Sequence, residues 1–163
     1  MLKTAIERQI EAQEKIDPLA EELDEQQSFA DEHTRFFTGR EPDLAWIAAR
    51  LAGEGHHPLV VWGGSGTGKS ALMAAALQQT GKAHPESSLA FRFIGATPES
   101  AYGQTLLKGL TQELAQGVGL APEIPEDFSG VVNAFQKQLY RAGPTTPLIL
   151  FVDGINQLSE ADP

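Results

Sequence analysis

The chain has 163 residues, 41% of them hydrophobic, which suits a single domain with a real core. A formal net charge of -10 and a pI of about 4.8 argue against nonspecific binding to nucleic acid or to an anionic membrane, whose phosphates the chain repels at long range. The absence of cysteine excludes disulfides and thiolate metal sites, and no apolar run approaches the ~20 residues of a membrane helix. The expectation is a soluble cytoplasmic protein with no signal peptide.

Residues 2–30 carry Leu2, Ile6, Ile10, Ile16, Leu19 and Leu23 at roughly helical spacing. Pro18 splits the region into two helices, with Asp17 as the N-cap of the second. The pairs Glu21-Glu22, Asp24-Glu25 and Asp31-Glu32 read as a solvated acidic face rather than a cation site. A turn follows over 33–39, anchored by Phe36 and Phe37. Next comes a helix over 42–51 with Leu44, Ile47, Ala48 and Leu51 on one face.

Leu59-Val60-Val61-Trp62 is a short apolar run ending in glycines and predicts a strand buried on both faces, as in a parallel sheet. Trp46 and Trp62 are expected in the core. After the glycines, 69–80 is a strong helix former that Gly81 should stop. A second strand is predicted over 88–95, with Arg92 facing away from Phe91 and Phe93, toward the surface or in contact with the acidic strand end or a partner. Residues 99–116 read as a helix with Leu106, Leu107, Leu110 and Leu114 together. A loop over 117–130, a helix over 131–141 and a third strand over 147–152 complete the pattern. Strands alternating with helices mean an α/β fold on a parallel sheet.

The stretch Gly63-Gly64-Ser65-Gly66-Thr67-Gly68-Lys69-Ser70 matches G-x-x-x-x-G-K-[ST] in full. Its glycines permit turns that a Cβ forbids, so successive amides can point inward and cradle phosphate oxygens. The start of the following helix, through Ala71, adds free amides and the positive end of a dipole. Lys69 can reach the β- and γ-phosphates and the Ser70 hydroxyl can ligate Mg²⁺. At average glycine usage a chance match in a chain this long has odds of roughly one per cent. A triphosphate site also needs a carboxylate for Mg²⁺ at the end of a neighbouring strand, and Asp153, closing Leu148–Val152, supplies it. The expected ligands are therefore ATP and Mg²⁺, with Lys69 and Asp153 as the catalytic pair and Ser70 and Asp153 on the metal. His56 and His57 are adjacent, and His33 and His84 stand at no ligand spacing, so no histidine metal site is expected.

Three further stretches, Phe37-Thr38-Gly39-Arg40-Glu41, Phe91 to Pro98 and Phe151 to Leu158, together resemble the signal-transduction ATPases with numerous domains, in particular NACHT-type modules joined to WD40 or TPR repeats. The resemblance covers about residues 33–160 and implies a three-layer α/β/α P-loop NTPase that acts as an ATP-dependent switch and scaffold. Protein partners or self-association would come through appended domains, and no nucleic acid or membrane partner is implied. It also implies that Arg40 lies near the base and ribose. The family pattern continues past the Mg²⁺ aspartate with acidic residues, where this chain has Asn156 and Gln157, so slow or absent hydrolysis is expected. Such ATPases carry a fourth strand between the phosphate-loop strand and the one ending in Asp153, and a fifth beyond. Only the first three fit before Pro163, so the chain reads as a helical segment over 1–32 followed by the N-terminal part of an NTPase domain over 33–163. A small-molecule kinase on the same loop, or a non-catalytic interaction fragment, are the alternative readings.

Overall fold

A computed structural model describes residues 17–53, 57–121, 123–143, 145 and 147–159; the expected first helix, over residues 2–16, and His56 lie outside that set. Helix α1 spans Pro18–Thr34 and α2 spans Glu41–Leu51. Helix α3 covers Lys69–Ala83 and is followed by strand β1, Ser88–Phe93. A 3₁₀ turn at Glu99–Ala101 leads into α4, Gly103–Gln116, and then α5, Phe128–Leu139. Strand β2, Leu148–Asp153, ends in a 3₁₀ turn at Ile155–Gln157.

The starts of the helices follow local chemistry. Asp17 accepts from the Leu19 amide at 3.1 Å with Pro18 in the first turn, as the sequence predicts. Asp127 caps α5 by accepting from the Gly130 amide at 2.7 Å, which starts that helix three residues earlier than expected. Helix α3 runs through Gly81 to Ala83 instead of stopping. A glycine inside a helix costs about 1 kcal/mol against alanine, and tertiary packing overrides that. Here a side chain at position 81 would already meet Leu89 at 3.3 Å, so the glycine lets helix and strand approach.

Strands β1 and β2 pair in parallel, with Ser88 opposite Leu148 and Phe93 opposite Asp153. The period of two divides their side chains between two cores. Phe91, Phe93, Ile149 and Phe151 face a cluster built from Ala30, Leu44, Ile47, Leu72 and Leu77 of α1, α2 and α3. Ala90, Leu150 and Val152 face Leu106, Leu110, Leu114 and Phe135 of α4 and α5. The arrangement is α/β/α. Helix α1 lies at the β1 side of the sheet and touches α3, β1 and α4. Among the described residues, no helix is long and apolar enough to cross a membrane.

Four expectations are corrected. Leu59–Trp62 takes no place in the sheet, which among the described residues has only β1 and β2. Its burial is one-sided: Leu59 and Val61 pack on the first core, while Val60 is 71% and Trp62 88% exposed. A strand is buried on both faces only with strands or helices on both, and among the described residues this segment has no ladder partner. Trp46 is also outside the core at 57% exposed, because Leu44 and Ile47 take the inward face of α2.

The third and fourth corrections concern Glu22 and Arg92. Neither is solvated. The buried stripe of α1 is Leu19, Glu22, Gln26 and Ala30, so one of the acids sits on the inward face. Arg92 points away from Phe91 and Phe93, as alternation requires, but into the protein. Its Nε donates to Glu22 Oε1 at 3.0 Å, and its Nη1 donates to Glu113 Oε2 at 2.6 Å and to the Phe91 carbonyl at 2.7 Å. Nη2 has no partner among the described residues. A side chain at Gly109 would stand 2.9 Å from Glu22 Oε2 and 3.3 Å from that Nη2, so the glycine makes room for the ion cluster.

Candidate functional site

The glycine stretch forms a loop that runs into α3. Gly66 and Gly68 take positive φ, 73° and 78°, which L side chains adopt at a cost. Gly68 is the N-cap of α3, and its carbonyl accepts the first helical bond, from Leu72 N–H at 2.9 Å. The amides of Lys69, Ser70 and Ala71 precede that bond, so the helix offers them no acceptor. With no acidic residue in the first turn, this end stays positive and free of competing carboxylates.

The side chains of the loop bond its own backbone. Lys69 Nζ donates to the carbonyls of Gly63 at 3.0 Å and Gly64 at 2.8 Å. Thr67 Oγ1 donates to the Gly64 carbonyl at 2.9 Å. Arg40 reaches the loop from the start of α2: its Nη1 donates to the Thr67 carbonyl at 3.2 Å, while its Nε donates to Asp43 Oδ2 at 2.8 Å. A lysine held by two neutral carbonyls exchanges weak partners for strong ones when an anion enters the loop.

Asp153 is half-buried at the end of β2, and its carbonyl accepts from Ile94 N–H at 3.0 Å. The direction of α3 relates it to the loop. Gly81, near the end of α3, lies against Leu89, near the start of β1. Twelve residues of helix span roughly 18 Å and a six-residue strand roughly 20 Å, so α3 runs back along the sheet. A helix so directed points its N-terminus toward the carboxyl ends of the strands, where β2 closes with Asp153. The Gln157 side chain folds over that end, against Gly95 and Gly154. Asn156 is exposed in the same 3₁₀ turn.

The remaining candidates are dispersed. His33 bonds the Phe29 carbonyl through Nδ1 at 2.9 Å, His84 pairs with Glu86 at 3.7 Å, and His57 is exposed. Among the described residues no group of three potential metal ligands assembles from His, Cys, Asp and Glu. A cavity of about 400 Å³ opens between α1, α4 and residues 124–126, lined by Glu22, Glu99, Lys108 and Glu126; no loop residue lines it. Sequence reasoning missed Asp43 and Gln26. For Gln26 a signal existed, in its helical spacing from Leu19, Glu22 and Ala30. For Asp43 only its three-residue distance from Arg40 hinted at a pair.

An α/β/α layering with a glycine loop feeding a helix at the carboxyl end of a parallel sheet defines the P-loop NTPases. The chain belongs to the AAA ATPase domain family, whose model matches residues 36–163. It is 34% identical over 117 residues to "NACHT and WD repeat domain-containing protein 2" of Mus musculus and 32% identical to the Homo sapiens protein of that name, covering 66% of this chain in each case. It is 35% identical over 98 residues, 57% of this chain, to "Putative tetratricopeptide repeat protein 41" of Homo sapiens. The matched region spans 7% of the length of each relative. No solved structure matches. The chain is a nucleotide-binding module of NACHT/AAA-like type.

Proposed function

We propose that this chain binds ATP with Mg²⁺ and works as a nucleotide-dependent switch, with slow or absent hydrolysis. The observation that carries the reading is the loop itself: a positive-φ glycine turn, the amides of Lys69, Ser70 and Ala71 to which the helix offers no acceptor, and the Lys69 ammonium, all at one end of α3. That donor set suits a polyphosphate, because every group in it is a donor or a cation. The Ser70 hydroxyl and the Asp153 carboxylate would together suit a hard cation that prefers oxygen. Bound Mg²⁺ would neutralise phosphate charge. This chain's own residues would hold and orient the polyphosphate: the amides of Gly63 to Ala71 as the cradle, Lys69 as the mobile cation.

Weak turnover follows from the residues beside Asp153. Asn156 and Gln157 can orient water but cannot take its proton. A switch needs binding energy that differs between nucleotide states more than it needs rate. The relatives' printed names carry NACHT, WD-repeat and tetratricopeptide modules, and partners reached through such modules belong to this proposal. Titration with a fluorescent ATP analogue, with and without Mg²⁺, tests it. The chain should bind with Mg²⁺, and Lys69→Ala should lose at least about ten-fold in affinity. Binding that Lys69→Ala leaves intact would remove the phosphate loop from the explanation.

A further inference from the structure

The Arg40–Asp43 pair has no role in the reading above beyond a family-based contact with base and ribose. Its geometry points elsewhere. A trans peptide is planar, so the carbonyl of one residue and the N–H of the next point in opposite directions from the same rigid unit. The unit joining Thr67 to Gly68 lies at the mouth of α3, directly before Lys69. Its carbonyl end is held by Arg40 Nη1 at 3.2 Å. Its N–H end belongs to Gly68, whose φ of 78° allows rotations that no side-chain-bearing residue takes cheaply. A glycine-flanked peptide that can turn freely needs an outside hold if its amide is to face one way.

We propose that Arg40 is a positioning residue for the phosphate loop: by holding the Thr67 carbonyl outward it turns the Gly68 amide toward the anion site. Asp43 fixes Arg40 for this task. It accepts from Nε at 2.8 Å, an i,i+3 pair that orients the guanidinium at the start of α2. The planar fork of arginine makes both bonds at once from one side chain, which an ammonium cannot do with the same geometry. The brace ties α2 to the loop across 27 residues of sequence and lets a movement of α2 reach the phosphates. The inference rests on the nucleotide reading above and adds to it a residue that acts on the phosphate end rather than the base.

The test compares ATP with tripolyphosphate, which has no base or ribose, as competitors of the fluorescent analogue on the 163-residue chain. Arg40→Gln should weaken both by about the same factor, on the order of ten-fold. Asp43→Asn should weaken both by about two- to five-fold, and Arg40→Lys should recover part of the loss. In the ligand-free protein, the Gly68 amide resonance should shift in Arg40→Gln and in Asp43→Asn. A loss for ATP with tripolyphosphate unchanged would make Arg40 a base contact and overturn the proposal. A lowered melting temperature with both affinities unchanged would reduce the pair to a structural tie and overturn it too. Wild-type chain that binds neither probe defeats the nucleotide reading itself, a result distinct from the other two.

Discussion

Gln26 treats Phe93 as a neighbouring strand would. The Phe93 amide donates to Gln26 Oε1 at 2.7 Å, and Gln26 Nε2 donates to the Phe93 carbonyl and to Thr97 Oγ1, both at 3.3 Å. One side-chain amide thus bonds both backbone groups of the last residue of β1, sharing the carbonyl with the Ala96 amide and Ser100 Oγ, and joins α1 to the sheet where the ladder stops. Phe29, one turn further along α1, packs its ring 5.0 Å from that of Phe93 and extends the same contact.

Gln26→Ala should therefore destabilise the fold by about 1–3 kcal/mol, because it strands the buried Phe93 N–H, while the Phe93 carbonyl keeps the Ala96 amide and Ser100 Oγ. Gln26→Glu should cost at least as much at neutral pH, since its second carboxylate oxygen would face the Phe93 carbonyl in a fully buried place. Urea denaturation gives both numbers; an alanine variant as stable as wild type would mean that water replaces the amide without cost.

Glu22 and Glu113 share one guanidinium. Burial raises both carboxyls above the ordinary value of 4.5; Arg92 pulls them down, and each acid pushes against other carboxylates, Glu99 and Glu25 around Glu22, and Glu22 around Glu113. An acid whose folded value is raised binds more protons folded than unfolded. Its contribution is complete below about pH 4.5 and is lost as pH rises through the raised value. The urea midpoint of wild type should thus fall between pH 4.5 and 7 relative to that of Glu22→Gln. Parallel curves would show that burial does not penalise the charge. Arg92→Met should cost about 3–5 kcal/mol by leaving two carboxylates buried together, and adding Glu22→Gln should restore part of it.

Gly95 has φ 84°, and a side chain there would stand 2.6 Å from Gln157 Oε1. Gly95→Ala should cost about 1–2 kcal/mol for the left-handed backbone alone, plus the displacement of Gln157. In a Gln157→Ala background the second part should vanish. Additive effects in that double-mutant cycle would show that Gln157 does not lie over the strand ends.

Burial alternates through the segment before the loop. Trp62→Lys should stay within about 0.5 kcal/mol of wild type in thermal unfolding, as exposed positions do. Val61→Lys, which sets a charge against Leu59 and the first core, should be clearly destabilising. Equal costs at the two positions would mean that the segment has a second buried face.

Much of this protein was readable residue by residue. The glycine loop at the head of α3 follows from spacing alone, because its glycines, lysine and serine are neighbours in sequence. The two strands follow from short, mostly apolar runs, and the helices from period and caps such as Asp17. Tertiary structure decided what depends on distant partners. Leu59–Trp62 has the composition of a strand, but strandhood requires a second chain segment to bond, and composition cannot supply one. Arg92 alternates outward from Phe91 and Phe93 by local geometry. Whether outward meant water or protein was set by Glu22, 70 residues away, and Glu113, 21 away. The role of Arg40 turned on the carbonyl of Thr67, a group that every residue carries and that no sequence pattern marks. Local propensity is written in neighbouring letters, whereas the partner of a buried charge or a backbone carbonyl is fixed only when the chain closes on itself.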